Sequence, residues 1–190
     1  MWILFTNYMH HLLIISEQGV LWAVAGVVLA YCILYILRYK GGHTRYIKKA
    51  KKVFNRINEK KLSEGQVLTY LRKIDPYVFE ELIILGFAAK GYGFERNKRY
   101  SGDGGVDGRV FLNGKKYLLQ CKRYSKHINP RHVEAFSNVC REERCEGFFV
   151  HTGKTGKRSR DNVFIAGNVS IISGNRLAHL LMKDYANAKV

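Results

Sequence analysis

The sequence predicts an α/β protein in which helices flank a mixed β-sheet and one transmembrane helix precedes the folded domain. Three observations lead to this prediction: helical and strand-like periods alternate after Gly91, Asn113-Gly114 is a hairpin signal, and no charged residue occurs from Gly19 to Leu37. The 190 residues provide one ordinary domain with an appendage, and a hydrophobic content of 47% with only 2 prolines excludes a disordered chain.

The uncharged stretch from Gly19 to Leu37 is long enough for a membrane-spanning helix, since about 20 apolar residues cross a bilayer. Trp22 near one end, and Tyr35 with Tyr39 near the other, are typical interfacial anchors. A buried core helix and a signal peptide are the alternatives, but no basic residue precedes the stretch. The earlier apolar run, residues 3–15, is too short to span alone, and a two-span hairpin remains a minor alternative.

The charges around this stretch predict an orientation in the inner (cell) membrane. No Lys or Arg occurs before Arg38, whereas residues 38–61 contain ten of them and the single acid Glu59. The positive-inside rule then places the amino terminus outside and the folded domain in the cytoplasm, as a single-pass protein. The predicted division is an extracytoplasmic terminus (1–18), a transmembrane helix (19–37), a basic juxtamembrane linker and helix (38–75) and a folded domain (76–190).

The folded domain stays basic without the membrane-proximal charges. Residues 62–190 contain 22 Lys+Arg and 13 Asp+Glu, a net charge of about +9, which suits a polyanionic partner such as nucleic acid. A lipid-binding or membrane-assembly protein, whose basic residues serve topology alone, is the competing class. The four cysteines lack paired spacing, so we expect free thiols.

The elements of the domain can be assigned in chain order. Ser63 with Gln66 forms a capping box for a short helix, and Asp75-Pro76 begins the next helix. Strand-like residues then flank the hairpin turn, and the order continues as helix, strand, helix, strand, helix. A hairpin followed by βαβ crossovers predicts a mixed sheet with helices on both faces.

The hairpin carries the residues suited to chemistry. Gln120 and Lys122 share one face of their strand, and equal strand lengths on either side of the turn bring Asp107 opposite them. The carboxylate, the amide oxygen and the Cys121 backbone carbonyl are hard ligands for Mg²⁺, and a lysine helps to orient or activate water for phosphodiester cleavage. Glu80 on the preceding helix adds a second carboxylate. An ordinary charged surface hairpin is the competing interpretation.

Longer segments resemble a known family. FEELIILGF (79–87), SGDGGVDG (101–108) and LLQCKRY (118–124), followed by GFFVHTG (147–153) and IISGNRLAHLL (171–181), closely resemble the Mrr-type restriction endonuclease family. The resemblance implies the PD-(D/E)-x-K nuclease fold, a mixed sheet with flanking helices, which agrees with the element order read from the residues.

The resemblance also implies roles for individual residues. Asp107 is expected as the metal-binding acid, Gln120 as the residue at the second acidic position and Lys122 as the catalytic lysine. Glu80 is expected as the helix carboxylate, with Glu81 as its alternative. Mg²⁺ is the expected cofactor, with Mn²⁺ as a substitute. Glutamine supplies an oxygen but no charge, so we expect weaker metal binding than with an Asp-Glu pair.

The predicted function is that of a membrane-anchored, Mg²⁺-dependent DNA endonuclease, and the alternative is a non-cleaving module of the same fold that tethers DNA to the membrane. The sequence leaves open whether a homodimer forms to cut both strands. We expect Asp103 to be a turn residue and His151 a structural residue. Basic residues are expected to contact the DNA backbone, with a solvated face as the alternative: Lys154, Lys157, Arg158, Arg160 and Arg123.

Overall fold

The computed structural model describes residues 2–97 and 105–183, with side chains for 19–35, 43–97 and 105–183. The chain divides into two compact units, Met1–Arg45 and Tyr46–Val190. The helices are α1 (Trp2–Glu59), α2 (Glu64–Leu71), α3 (Pro76–Ala89), α4 (Pro130–Glu142), α5 (Lys157–Ala166) and α6 (Gly174–Leu181). The strands are β1 (Gly93–Arg96), β2 (Gly108–Leu112), β3 (Lys115–Lys122), β4 (Glu146–His151) and β5 (Val169–Ile172).

The predicted transmembrane span, Gly19 to Leu37, is not supported. These residues belong to helix α1, but within the described part of the chain no helix is long and apolar enough to cross a membrane. The predicted orientation and localisation depended on this span and stay predictions.

The five strands form one mixed sheet in the order β1-β2-β3-β4-β5. Strands β1, β2 and β3 are antiparallel neighbours, whereas β4 pairs parallel to β3 and β5 pairs parallel to β4. Each parallel neighbour is reached through a helix, α4 or α5, as a crossover requires. The predicted mixed sheet with flanking helices is therefore confirmed.

Local sequence signals explain where several elements begin and turn. The Asn113-Gly114 turn joins β2 to β3, and both residues have positive φ (50° and 78°), as a two-residue type I′ hairpin needs. The Asp75 side chain accepts hydrogen bonds from the first backbone N–H groups of α3, with Pro76 at the first helical position. The capping box predicted at Ser63 and Gln66 is present at the start of α2.

Alternation along β3 assigns the site residues to opposite faces of the sheet. Leu119 and Cys121 pack in the core formed with α2, α3 and α6, whereas Leu118 packs in the core formed with α4. Because side chains alternate along a strand, Gln120 and Lys122 share the face of Leu118. The β2–β3 hairpin therefore directs these two side chains toward the α4 side and the Cys121 thiol toward α3.

Candidate active site

Asp107 is fixed directly against the end of β3. Its backbone N–H donates to the Leu119 carbonyl at 2.7 Å, and its Oδ2 accepts the backbone N–H of Cys121 at 2.6 Å. The N–H and C=O of one strand residue point toward the same neighbouring strand, so the Cys121 carbonyl lies on the Asp107 side. The register thus brings the acid and the backbone carbonyl together, as the hairpin geometry predicted.

Gln120 is buried and held in one orientation by the loop before β2. Its Nε2 donates to the Gly105 carbonyl at 2.6 Å, which leaves Oε1 buried without a hydrogen-bond partner in the described residues. Gly105 has φ +85°, and a Cβ there would lie 2.5 Å from Gln120 Nε2. The loop glycine therefore permits the close approach that orients the amide oxygen.

Glu80, in the second turn of α3, lies near Asp107. Burial raises its pKa to about 9, with further contributions from the negative charges of Asp107, Glu81 and Asp75. Burial also raises the pKa of the Cys121 thiol, with Asp107 and Glu80 adding to the effect. Two carboxylates that disfavour each other's ionisation are a typical arrangement for binding a cation.

Glu81, the alternative to Glu80, is engaged elsewhere. Its carboxylate is 2% exposed and pairs with Arg96 of β1, whose Nε donates to Oε2 at 2.7 Å. A buried charge that is already neutralised by a guanidinium is a poor additional ligand. The structure therefore favours Glu80 as the helix carboxylate.

Lys122 ends β3 beside a group of ring side chains that sequence reasoning missed. His151 is its partner in the β3–β4 register, and the Tyr124 ring lies edge-on to His151 at 6.2 Å. The Tyr124 hydroxyl is hydrogen-bonded to His132 Nδ1. Burial lowers the pKa of His151 to about 4, so this buried ring is neutral, as a structural residue should be. No local signal in the sequence links Tyr124 to His132.

The predicted DNA-contacting residues are exposed, and one of them, Arg123, directly follows the end of β3. Arg123 follows β3 and donates through Nη1 to the Arg72 carbonyl at 3.1 Å. Arg72, also exposed and missed by the sequence reasoning, donates through Nε to the carbonyl of Thr152, just after β4, at 3.2 Å. The exposed residues beyond β4 and on the first turns of α5 are Lys154, Lys157, Arg158 and Arg160.

The donor set fits a hard divalent cation. The carboxylates of Glu80 and Asp107, the Oε1 of Gln120 and the Cys121 carbonyl are all oxygen donors, which Mg²⁺ prefers. In the described residues no three His, Cys, Asp or Glu side chains group as metal ligands. A metal site here would therefore depend on the amide and backbone oxygens of Gln120 and Cys121. Asp103 lies outside the described residues.

A cavity of about 620 Å³ lies at the opposite end of strands β3 and β4 from these residues. It is lined by residues at the start of β3 and after α4, among them Lys115, Arg141 and Cys145. The carbonyl ends of α4 and α5 adjoin it, and they oppose binding of an anion. None of the predicted site residues lines this cavity.

The fold and the site together define a restriction-endonuclease-like α/β protein. The model of the Mrr-type catalytic domain family, described as restriction endonuclease, matches residues 71–181. The chain therefore belongs to the Mrr-type restriction endonuclease family, and the resemblance seen in the sequence is confirmed. A search of curated proteins finds no match.

Two solved structures are similar to this chain. The MspJI restriction endonuclease in complex with a 27-mer oligonucleotide has 21% sequence identity and a TM-score of 0.50, over 66% of this chain and 33% of that chain. The restriction endonuclease FokI has 13% identity and a TM-score of 0.48, over 74% of this chain and 31% of that chain. The chain thus spans about a third of each structure. The MspJI likeness supports the fold.

Proposed function

We propose that this chain is a Mg²⁺-dependent DNA endonuclease that hydrolyses phosphodiester bonds, with Mn²⁺ as a substitute. The observation that carries the proposal is the oxygen set at the end of β3, where the Asp107 carboxylate binds the Cys121 N–H and the Gln120 Oε1 is buried without a partner among the described residues. Family membership supports the nuclease class. Neither the fold nor the comparisons support a membrane partner or a homodimer.

Asp107 and Glu80 would hold the metal with their carboxylates, and Gln120 and the Cys121 carbonyl would complete the protein ligands. When bound, Mg²⁺ neutralises charge on the reacting phosphate and makes a bound water more acidic. The chain contributes the orientation of these ligands, because Gly105 fixes the Gln120 amide and the Cys121 N–H fixes Asp107. The Lys122 ammonium stabilises negative charge on the phosphate.

DNA is the substrate that the surface charge favours. Arg123 follows β3 and Lys154 follows the adjacent strand β4, at the end of the sheet where the oxygen ligands lie. Helix α5 adds further exposed Lys and Arg side chains beyond them. Lys and Arg side chains bind the phosphate backbone without reading its sequence. The arrangement therefore predicts sequence-tolerant DNA binding next to the cleavage site.

The test is nicking of supercoiled plasmid by the full chain with Mg²⁺, with Mn²⁺ and with EDTA. Lys122→Ala should reduce metal-dependent cleavage by about 10²–10³-fold, as expected for loss of a positioned charge, while DNA affinity changes little. Lys115→Ala removes the same charge from the exposed opposite end of β3 and serves as the matched control.

The outcomes separate the proposal from its alternative. Metal-dependent nicking that falls with Lys122→Ala and persists with Lys115→Ala supports the endonuclease. DNA binding by the wild-type protein with no cleavage in either metal overturns the proposal and favours the non-cleaving module.

A further inference from the structure

A tyrosine–histidine pair lies beside Lys122 on the α4 side of the sheet. Tyr124 follows β3 by two residues, and His132 lies in the first turn of α4. The Tyr124 hydroxyl is hydrogen-bonded to His132 Nδ1, and the two rings are tilted by 33° with centroids 6.1 Å apart. The pair therefore connects the end of the catalytic strand to a helix that otherwise has no part in the oxygen site.

The chemistry of the two groups gives the direction of this hydrogen bond. Burial raises the pKa of Tyr124, so the phenol keeps its proton. A phenol hydroxyl is a good hydrogen-bond donor, and an imidazole nitrogen without a proton is a good acceptor. We therefore take the Tyr124 hydroxyl as the donor and His132 Nδ1 as the acceptor.

That direction determines the tautomer of His132. With Nδ1 accepting, a neutral imidazole carries its proton on Nε2. Burial, with the positive charge of Lys122, lowers the pKa of His132 and favours the neutral ring. The side chain is only partly buried. A proton on Nε2 would therefore be accessible to a ligand from solvent.

Lys122 and His132 lie on the same side of the sheet at the end of β3. Tyr124, which is hydrogen-bonded to His132, packs on His151, the register partner of Lys122. We propose that His132 donates through Nε2–H to a non-bridging oxygen of the DNA phosphate that Lys122 faces, and that Tyr124 is the positioning residue that holds His132 in this tautomer. This inference rests on the proposed endonuclease function.

The first measurement is the tautomer, which does not depend on cleavage. In full-length protein with ¹⁵N-labelled histidine, long-range ¹H–¹⁵N spectra should show His132, assigned by its loss in His132→Gln, with the proton on Nε2. Tyr124→Phe keeps the packed ring and removes the hydroxyl, so His132 should become a mixture of tautomers. A proton on Nδ1 in the wild type overturns the inference.

The second measurement is single-turnover cleavage and DNA affinity of four variants. His132→Ala should lower the cleavage rate constant by at least about tenfold, the effect of one lost hydrogen bond, with DNA affinity within about twofold. His132→Gln should restore most of the rate because its amide N–H replaces Nε2–H. Tyr124→Phe should fall between them. His127→Ala, an exposed histidine in the preceding loop, should match the wild type.

The results distinguish a role at the phosphate from a structural one. Equal losses in His132→Ala and His132→Gln, or losses that follow the thermal unfolding midpoints, overturn the donor role. If all the variants cleave at the wild-type rate, the donor role is overturned as well, whereas the proposed endonuclease function stands. A wild-type protein that fails to cleave overturns the proposed function and the inference with it, whatever the tautomer.

Discussion

Replacing Glu80 by glutamine should stabilise the metal-free protein increasingly as the pH rises above the ordinary pKa of a glutamate. The folded protein raises the pKa of Glu80 from 4.5 to about 9, chiefly by burial. Below pH 4.5 the Glu80 carboxyl is protonated in both the folded and the unfolded chain, so its ionisation has no effect on the free energy of unfolding. Between the two values the unfolded chain releases the proton and the folded chain keeps it, so unfolding becomes more favourable as the pH rises.

The size of this effect follows from the shift. Each pH unit in that interval changes the free energy of unfolding by about 1.4 kcal/mol, which gives an upper limit of about 3 kcal/mol at pH 7. Glu80 is only partly buried, and solvent screening reduces the expected gain for Glu80→Gln to about 1–2 kcal/mol. The melting temperature should rise by about 3–8 °C.

The assay is urea unfolding of both proteins in EDTA at several values between pH 5 and pH 8. The stability difference between Glu80→Gln and the wild type should be small at pH 5 and should grow steadily toward pH 8. Glu134→Gln, which alters an exposed acid on α4, is the control and should show no such growth. A difference that is constant with pH, or a glutamine variant less stable at pH 8, refutes the reasoning.

Three further perturbations test the supports of the site. Gly105→Ala and Gly114→Ala each put a side chain at positive φ, and each should lower the free energy of unfolding in urea by about 1–3 kcal/mol. Only Gly105→Ala should also slow cleavage, because Gly105 contacts Gln120 and Gly114 does not. Equal cleavage by both variants would contradict the role of Gln120. Arg96→Met should destabilise the fold by about 3–5 kcal/mol, because it removes the guanidinium that pairs with the buried Glu81 carboxylate. The added change Glu81→Met should recover most of this loss. Lys157→Ala should reduce the slope of log affinity for DNA against log salt by about 1, and an unchanged slope would exclude a phosphate contact.

The sequence predicted the parts of the fold that local signals specify. The turn at Asn113-Gly114 needs positive φ at both residues, and few other residue pairs adopt this conformation, so the hairpin and its register followed directly. Once that register was known, Asp107 had to lie opposite the end of β3. The spacing of apolar residues between turn signals then predicted the remaining strands of the sheet and the helices that flank it.

The sequence did not predict contacts between residues that are far apart along the chain. The choice between Glu80 and Glu81 depended on Arg96, which lies on another element and pairs with one of two adjacent acids. The Gly105 carbonyl that orients Gln120, and the pairing of Tyr124 with His132, also join residues without a local signal. The predicted span from Gly19 to Leu37 rested on hydropathy and on the aromatic and charged residues at its ends, and no candidate membrane span occurs in the described residues.

The central claim is that Asp107 acts in cleavage through its negative charge, as a ligand of the metal. Asp107→Asn keeps an oxygen that can accept the Cys121 N–H and removes the charge, whereas Asp161→Asn makes the same change at an exposed position on α5. With plasmid DNA and Mg²⁺, Asp107→Asn should abolish nicking while retaining the melting temperature and DNA affinity, and Asp161→Asn should cleave as the wild type does. Undiminished metal-dependent nicking by Asp107→Asn would contradict the claim.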